Sequence, residues 1–244
     1  MHQIKLNHST TQIMTVNHVD DLPRILSAFS LEADRPTLVL VGGASKLSAE
    51  DFRKVESLFL NVLAPLAQEL GLAVVDGGTD AGIMRLIGKA RVALGATFPL
   101  IGVAPVGLVD LPNYPAPCDD SAPLEENHTH CLLIPGNKWG DESPWIAWVA
   151  STLAADAPST AILINGGEVT WKDAQSNVAV ERTVVVVDGS GRTADILADA
   201  IAGDPVIDKR AQPLVDSGFL TRLDLNQPSE QLTAQLRRLF TSKS

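Results

Sequence analysis

The apolar positions of this chain gather into short continuous runs, set apart by glycine turns and by stretches with helical spacing. Thr37–Val41 (TLVLV), Leu72–Val75, Pro99–Val103, His130–Ile134, Thr160–Ile164 and Thr183–Val187 are such runs. They do not alternate with polar residues, which marks strands buried on both faces, as in a parallel sheet. A helix is predicted from Ser48 to about Leu70, with Phe52, Val55, Leu58, Val62 and Leu66 on its apolar side. Ser48 and Asp51 have capping-box spacing, and Gly71 fits the residue that ends a helix. Further helices are predicted over Ile83–Leu94, from Ser143-Pro144 through Leu153, and over Ala194–Ala202. Ser143 reads as the cap of its helix, with Pro144 at the first helical position.

The ends of the chain are less regular. Gln12–Val16 reads as a short strand, and Leu22–Ser30 as a helix capped by Asp20 or Asp21. Phe219–Leu223 reads as a short strand. Ser229–Phe240 reads as a helix with Leu232, Leu236 and Leu239 on one side. Ala104–Asn127 is irregular and rich in Pro and Asp; a loop of that length in a compact domain usually serves function. Strands alternating with helices predict βαβ units. The expected fold is therefore α/β, a three-layer doubly wound parallel sheet flanked by helices. Residues 1–35 are expected to form a strand and helix extension on the core, and 36–244 the main ligand-binding domain.

Four of the runs end in glycines, and each passes into a predicted helix. A strand, a glycine turn and a helix start leave backbone N–H groups where an anion can sit. The candidate ligand residues are Gly42, Gly43, Ser45 and Lys46 in the first turn, and Gly77, Gly78, Thr79 and Gly82 in the second. The third turn adds Gly166, Gly167 and Thr170; the fourth adds Gly189, Ser190, Gly191 and Arg192. Four such turns at one sheet edge would form a crevice for a phosphorylated ligand. Arg192 can pair with phosphate through two N–H groups. None of the turns is a Walker A loop or the spaced dinucleotide fingerprint.

Two other groups carry alternatives. Thr170 and Asp173 have capping-box spacing, so Asp173 either closes a helix start or serves as a carboxylate at the crevice mouth, for a ribose hydroxyl or as a base. His128 and His130 would share a face on a strand. Hydrogen bonding to a ligand is preferred over a metal there, because spacing fixes no third metal ligand, and at least one of the two is expected to be simply a buried or exposed histidine. No metal and no cofactor is expected.

The net charge of −10, from 29 acidic and 19 basic residues, argues against a nucleic-acid groove. Aromatics at 5% argue against a base-stacking platform. No apolar stretch reaches the ~18–20 residues that span a bilayer, and the N-terminus lacks a signal-peptide pattern. No membrane partner and a cytoplasmic location are expected. Two cysteines, Cys118 and Cys131, make neither a disulfide framework nor a zinc set.

The strings VDGGTDAGIM (75–84), ENHTHCLLIPG (126–136), INGGEVTWKD (164–173) and VVVVDGSGRTAD (184–195) occur in order. Over roughly residues 36–203 the chain resembles prokaryotic relatives of the cytosolic N-terminal domain of TRPM channels. These belong to the SLOG superfamily, together with the Lonely Guy phosphoribohydrolases, once called lysine decarboxylases, and the DNA-processing protein A family. The resemblance implies a Rossmann-like domain for a small nucleotide-derived ligand, such as a nucleotide sugar or an ADP-ribose-like molecule. It implies roles for the Gly77–Gly82 backbone, for the Gly166-Gly167 turn, and for Gly189–Arg192 against phosphate. It also implies a homo-oligomer, a dimer. The Lonely Guy signature is Pro-Gly-Gly-x-Gly-Thr-x-x-Glu. In the matching stretch of this chain the proline is Asn165, the third glycine Val169 and the catalytic glutamate Asp173. Val169 disfavours the positive φ that glycine allows, and Asp reaches less far than Glu. The preferred reading is a sensor that binds without turnover. The alternative is an N-glycosidase or phosphoribohydrolase with Asp173 as its catalytic carboxylate.

Overall fold

The continuous apolar runs become neighbouring strands of one sheet. The computed structural model describes residues 2–5 (backbone only), 10–43, 46–112, 114–205 and 207–241. Its strands are β1 (His2–Lys5), β2 (Thr10–Thr15), β3 (Thr37–Gly42), β4 (Ala73–Asp76), β5 (Leu100–Pro105), β6 (Val109–Asp110), β7 (Ala122–Pro123), β8 (His130–Ile134), β9 (Ser159–Ile164), β10 (Thr183–Asp188) and β11 (Leu220–Asp224). The helices are α1 (Leu22–Ala28), α2 (Ala49–Leu58), α3 (Ala64–Leu70), α4 (Gly82–Ala93), α5 (Ser143–Ala154), α6 (Glu168–Ala179), α7 (Thr193–Ala202), α8 (Ala211–Asp216) and α9 (Ser229–Thr241).

The main sheet runs β1-β2-β8-β5-β4-β3-β9-β10-β11, and β6 pairs with β7 in a small second sheet. Every main-sheet pairing is parallel except that of β1 with β2. From β3 the chain first builds outward through β4, β5 and β8. It then returns to the other side of β3 and builds β9, β10 and β11. The strand order therefore reverses between β3 and β9. In a sheet of this kind a ligand crevice opens beyond the strand ends at that point.

Alternate residues of the strands feed two cores. Val39, Val41, Val75, Leu163 and Val186 pack under α1, α5, α6, α7 and α8. Leu38, Leu40, Val74, Ile162 and Val185 pack under α2, α3, α4 and α9. The result is a three-layer Rossmann-like α/β fold. Each fully buried Leu, Val or Phe contributes roughly 1.5–3 kcal/mol of burial free energy.

The helix predicted from Ser48 to Leu70 is continuous but not uniform. Ser48 Oγ accepts the Asp51 amide at 3.1 Å, and Gly71 ends the helix at φ 63°. Between α2 and α3 lies a π turn over Phe59–Leu63, in which the Ala64 amide reaches back to the Phe59 carbonyl. Pro65 explains it. Proline has no amide for the carbonyl four residues back, and its ring would strike that carbonyl in a regular helix. The wider turn makes room.

Three local expectations change. Ser143 does not cap α5; Glu142 occupies the cap position, and the Ser143 hydroxyl turns to Asp173 instead. Asp21 stands at the cap of α1 without a side-chain cap bond, because its carboxylate faces Arg24 at 3.1 Å. The stretch Ala104–Asn127 is partly ordered into a 3-10 turn (Val106–Leu108) and the β6–β7 pair. Residues 1–35 supply β2, which pairs with β8, and α1, whose Leu22, Ile25 and Leu26 join the core.

Candidate functional site

β3 and β9 are pressed together at the reversal point. A Cβ on Gly42 (φ 117°) would lie 2.0 Å from the Ile164 carbonyl oxygen, and the Gly43 amide donates to the same oxygen at 2.9 Å. Only glycine permits that approach. Beyond β3, Ser45 lies outside the described residues, and Lys46 follows at φ 58°.

Beyond β9 the chain turns sharply through Asn165 (φ 53°) and Gly166 (φ 91°) into α6. Gly167 caps α6, and its amide donates to Thr170 Oγ1 at 3.1 Å. Thr170 is thus inside the first turn and bonds backwards. It does not pair with Asp173 as a capping box, because α6 starts earlier than the Thr170–Asp173 spacing suggests. Across this turn lies Arg192. Its Nη2 is 2.8 Å from where a Cβ on Gly167 would sit. The guanidinium therefore covers the first turn of α6, where helix amides have no acceptor within the helix.

The turn after β10 holds an anion of its own. The amides of Gly189 and Gly191 both donate to Asp195 Oδ1 at 2.9 Å, and the Ser190 amide donates to the Val187 carbonyl. All three amides of the Gly-Ser-Gly turn have partners within the chain. The Ser190 hydroxyl donates to the Val187 carbonyl and accepts the Asn165 amide at 2.8 Å. The turns after β9 and β10 are stitched together further by the Ala194 amide on the Asn165 carbonyl and by the Thr193 hydroxyl on the Gly167 carbonyl. Asp195 was not singled out from the sequence; its signal was an acidic residue in the first turn of α7, just after the glycines.

The turn after β4 is built differently. Asp76 is fully buried, and its Oδ1 accepts the Gly78 amide at 2.7 Å and faces His128 Nε2 at 2.8 Å. His128 Nδ1 faces Glu125 Oε2, also at 2.8 Å. Burial by itself lowers the pKa of His128, but Asp76 and Glu125 outweigh it and push the ring up to about 9. At neutral pH it is an imidazolium clamped between two carboxylates. Glycines make the space. A Cβ on Gly102 would lie 2.5 Å from Gly78 Cα, and one on Gly88 2.4 Å from the Glu125 carboxyl group. The segment ahead of β8 also straps the turn, through the Glu125 amide on the Gly78 carbonyl and the Asp80 amide on the Pro123 carbonyl. Thr79, between those bonds, is buried. Gly82 begins α4.

His130 does not join His128. His128 precedes β8, so strand alternation does not place the two on one face. His130 begins β8, packs against Phe29 at 4.9 Å and bonds with Thr129 Oγ1 at 2.8 Å. Burial pushes it down to about 4. Among the described residues no group of three His, Cys, Asp or Glu is placed to hold a metal.

Asp173 lies within α6, facing α5 and the loop after β8. It is 7% exposed, and its Oδ1 accepts the Ser143 hydroxyl at 2.6 Å. Burial pushes this carboxyl up to about 7; the Ser143 bond opposes that rise and the charge of Glu142 adds to it. Glu142, itself raised chiefly by burial, accepts the Gly140 amide at 2.8 Å. Ser143 and Glu142 were not singled out as site residues, because only the packing of α5 against α6 brings them to Asp173.

A doubly wound sheet with glycine turns beyond its reversal point defines the class as Rossmann-like. The family is narrower. The model of the family described as "SLOG in TRPM, prokaryote" matches residues 35–233, and the chain belongs to that family. The chain is 22% identical over 234 residues to transient receptor potential cation channel subfamily M member-like 2 of Nematostella vectensis, covering 81% of this chain and 15% of that protein. Against subfamily M member 2 of Rattus norvegicus it is 24% identical, covering 69% of this chain and 14% of the channel. The chain thus spans a small part of these relatives. Among the described residues no helix is long and apolar enough to cross a membrane.

Proposed function

We propose that this domain holds a nucleotide-derived ligand, a nucleotide sugar or ADP-ribose-like molecule, in the crevice beyond β3 and β9, and acts as a sensor that leaves it unchanged. One observation carries the reading: the Arg192 guanidinium lies over Gly167, at the first turn of α6, where the strand order reverses. A cation and a helix start converging there suit a phosphate or pyrophosphate. Gly43, where a Cβ would meet nothing nearer than 3.9 Å, allows a sugar to approach the backbone. The turn after β10 contributes structure, since Asp195 and the Val187 carbonyl occupy its amides, and its Arg192 supplies the charge.

The test is a thermal-shift screen with AMP, ADP, ATP, NAD, ADP-ribose and ribose 5-phosphate. A ligand at ~100 times its Kd adds about 2.7 kcal/mol. A shift of a few degrees for one nucleotide or nucleotide sugar is expected. No shift with any of them contradicts the reading.

The hydrolase reading rests on Asp173, a carboxyl held near 7 beside Glu142. It requires nucleobase or ribose 5-phosphate to be released from the bound compound, and Asp173→Asn to stop that release.

A further inference from the structure

Asn165 is fully buried in the turn after β9, and its Oδ1 has no hydrogen-bond partner. The identity of that end is fixed by the other. Nδ2 donates to the Ser190 carbonyl at 2.8 Å, and a carbonyl only accepts, so the amide cannot be reversed. The unsatisfied oxygen points toward the Gly43–Gly166 side: a Cβ on Gly43 would stand 3.9 Å from it. Buried acceptors are almost always satisfied, and an exception calls for an explanation.

The backbone adds a second reason to look here. Asn165 sits at φ 53°, a conformation that glycine adopts more cheaply. A glycine would keep the amide bond to Ser190 Oγ. What the asparagine adds is the brace to the Ser190 carbonyl and the free acceptor.

We propose that Asn165 is a specificity-determining residue whose Oδ1 accepts a hydrogen bond from a hydroxyl of the ligand, beside the anion held by Arg192 and α6. This rests on the crevice reading above and narrows it. The cognate ligand must carry a donor next to its anionic group, as a ribosyl phosphate does. Inorganic pyrophosphate has no sugar hydroxyl to set against Asn165 and serves as the probe of the anion site alone.

The experiment is calorimetric titration of the native chain and of Asn165→Gly. The probes are ADP-ribose, AMP, 2′-deoxy-AMP, 3′-deoxy-AMP, ribose 5-phosphate and pyrophosphate. In the native protein one deoxy compound should bind about tenfold or more weakly than AMP, the cost of a buried acceptor left unpaired. In Asn165→Gly, with an unchanged circular dichroism spectrum, that gap should close to within about twofold. Nucleotides that bind natively without any hydroxyl preference overturn the Asn165 proposal and leave the crevice reading standing. A preference that survives Asn165→Gly does the same. Failure of every probe to bind the native chain overturns both. If the variant does not fold, the native comparison still tests the proposal, since equal binding of AMP and both deoxy compounds overturns it.

Discussion

The Arg192 guanidinium occupies the space that a side chain on Gly167 would need, with Nη2 2.8 Å from the Cβ position. Arg192 reaches that place from a costly backbone conformation, φ 59° and ψ −125°, at the cap of α7. Glycine would adopt those angles without strain, which for other residues costs of order 1–3 kcal/mol. Arg192→Gly relieves that strain, and its nucleotide affinity should fall tenfold or more in calorimetric titration. A variant that binds as tightly as the native chain would refute this account of why an arginine stands there.

The His128 clamp predicts a pH dependence. The ordinary value is 6.5 and the folded value about 9. A raised histidine lends its stability in full below pH 6.5 and loses it as pH rises through 9. Urea unfolding should show stability declining over that window by about 3 kcal/mol. A flat profile from pH 6.5 to 9 would mean the ring is neutral in the fold.

Asp173 acts with the same sign over a lower window. Its carboxyl stands at about 7 against 3.8, so the fold favours the protonated form. Stability is lost as pH rises from about 4 to 7 and the buried carboxylate forms. Asp173→Asn keeps an acceptor for Ser143 and removes that loss. It should be about 2–4 kcal/mol more stable than the native chain at pH 8, with the difference fading toward pH 4 in guanidinium titrations. Equal stability at pH 8 would contradict the assignment.

Gly88 tests the strap. Alanine in a helix interior normally gains about 1 kcal/mol over glycine. Here the new methyl would stand 2.4 Å from the Glu125 carboxyl group and push it from His128. Gly88→Ala should lower stability by about 2 kcal/mol or more, read from the unfolding midpoint. A gain would show that Glu125 moves freely.

Most strands were legible because burial on both faces leaves an apolar run that polar residues do not interrupt. Gly71 and Ser48 were legible because their roles are local. Ser143 and Thr170 were misread for the opposite reason. Each has a hydroxyl that suits a cap, and its true partner depends on where a neighbouring turn or helix lies. The Gly189–Gly191 turn looked open to an outside anion because the sequence does not say that Asp195 folds back upon it. α8 (Ala211–Asp216) went unnoticed, its apolar residues being few and Pro213 lying within it. The pairing of His128 with Asp76 spans 52 positions and leaves no local pattern.

The most direct test of the crevice is Gly167→Ala, titrated beside the native chain with whichever nucleotide gives the largest thermal shift. Gly167 has φ −130° and ψ −146°, outside the positive-φ region that favours glycine, so the fold should persist. The methyl displaces the Arg192 guanidinium without altering any charge. Affinity should drop about tenfold or more, with the unfolding temperature nearly unchanged. Equal affinity in the two proteins would show that Arg192, placed against the start of α6, does not hold the ligand, and would contradict the central claim.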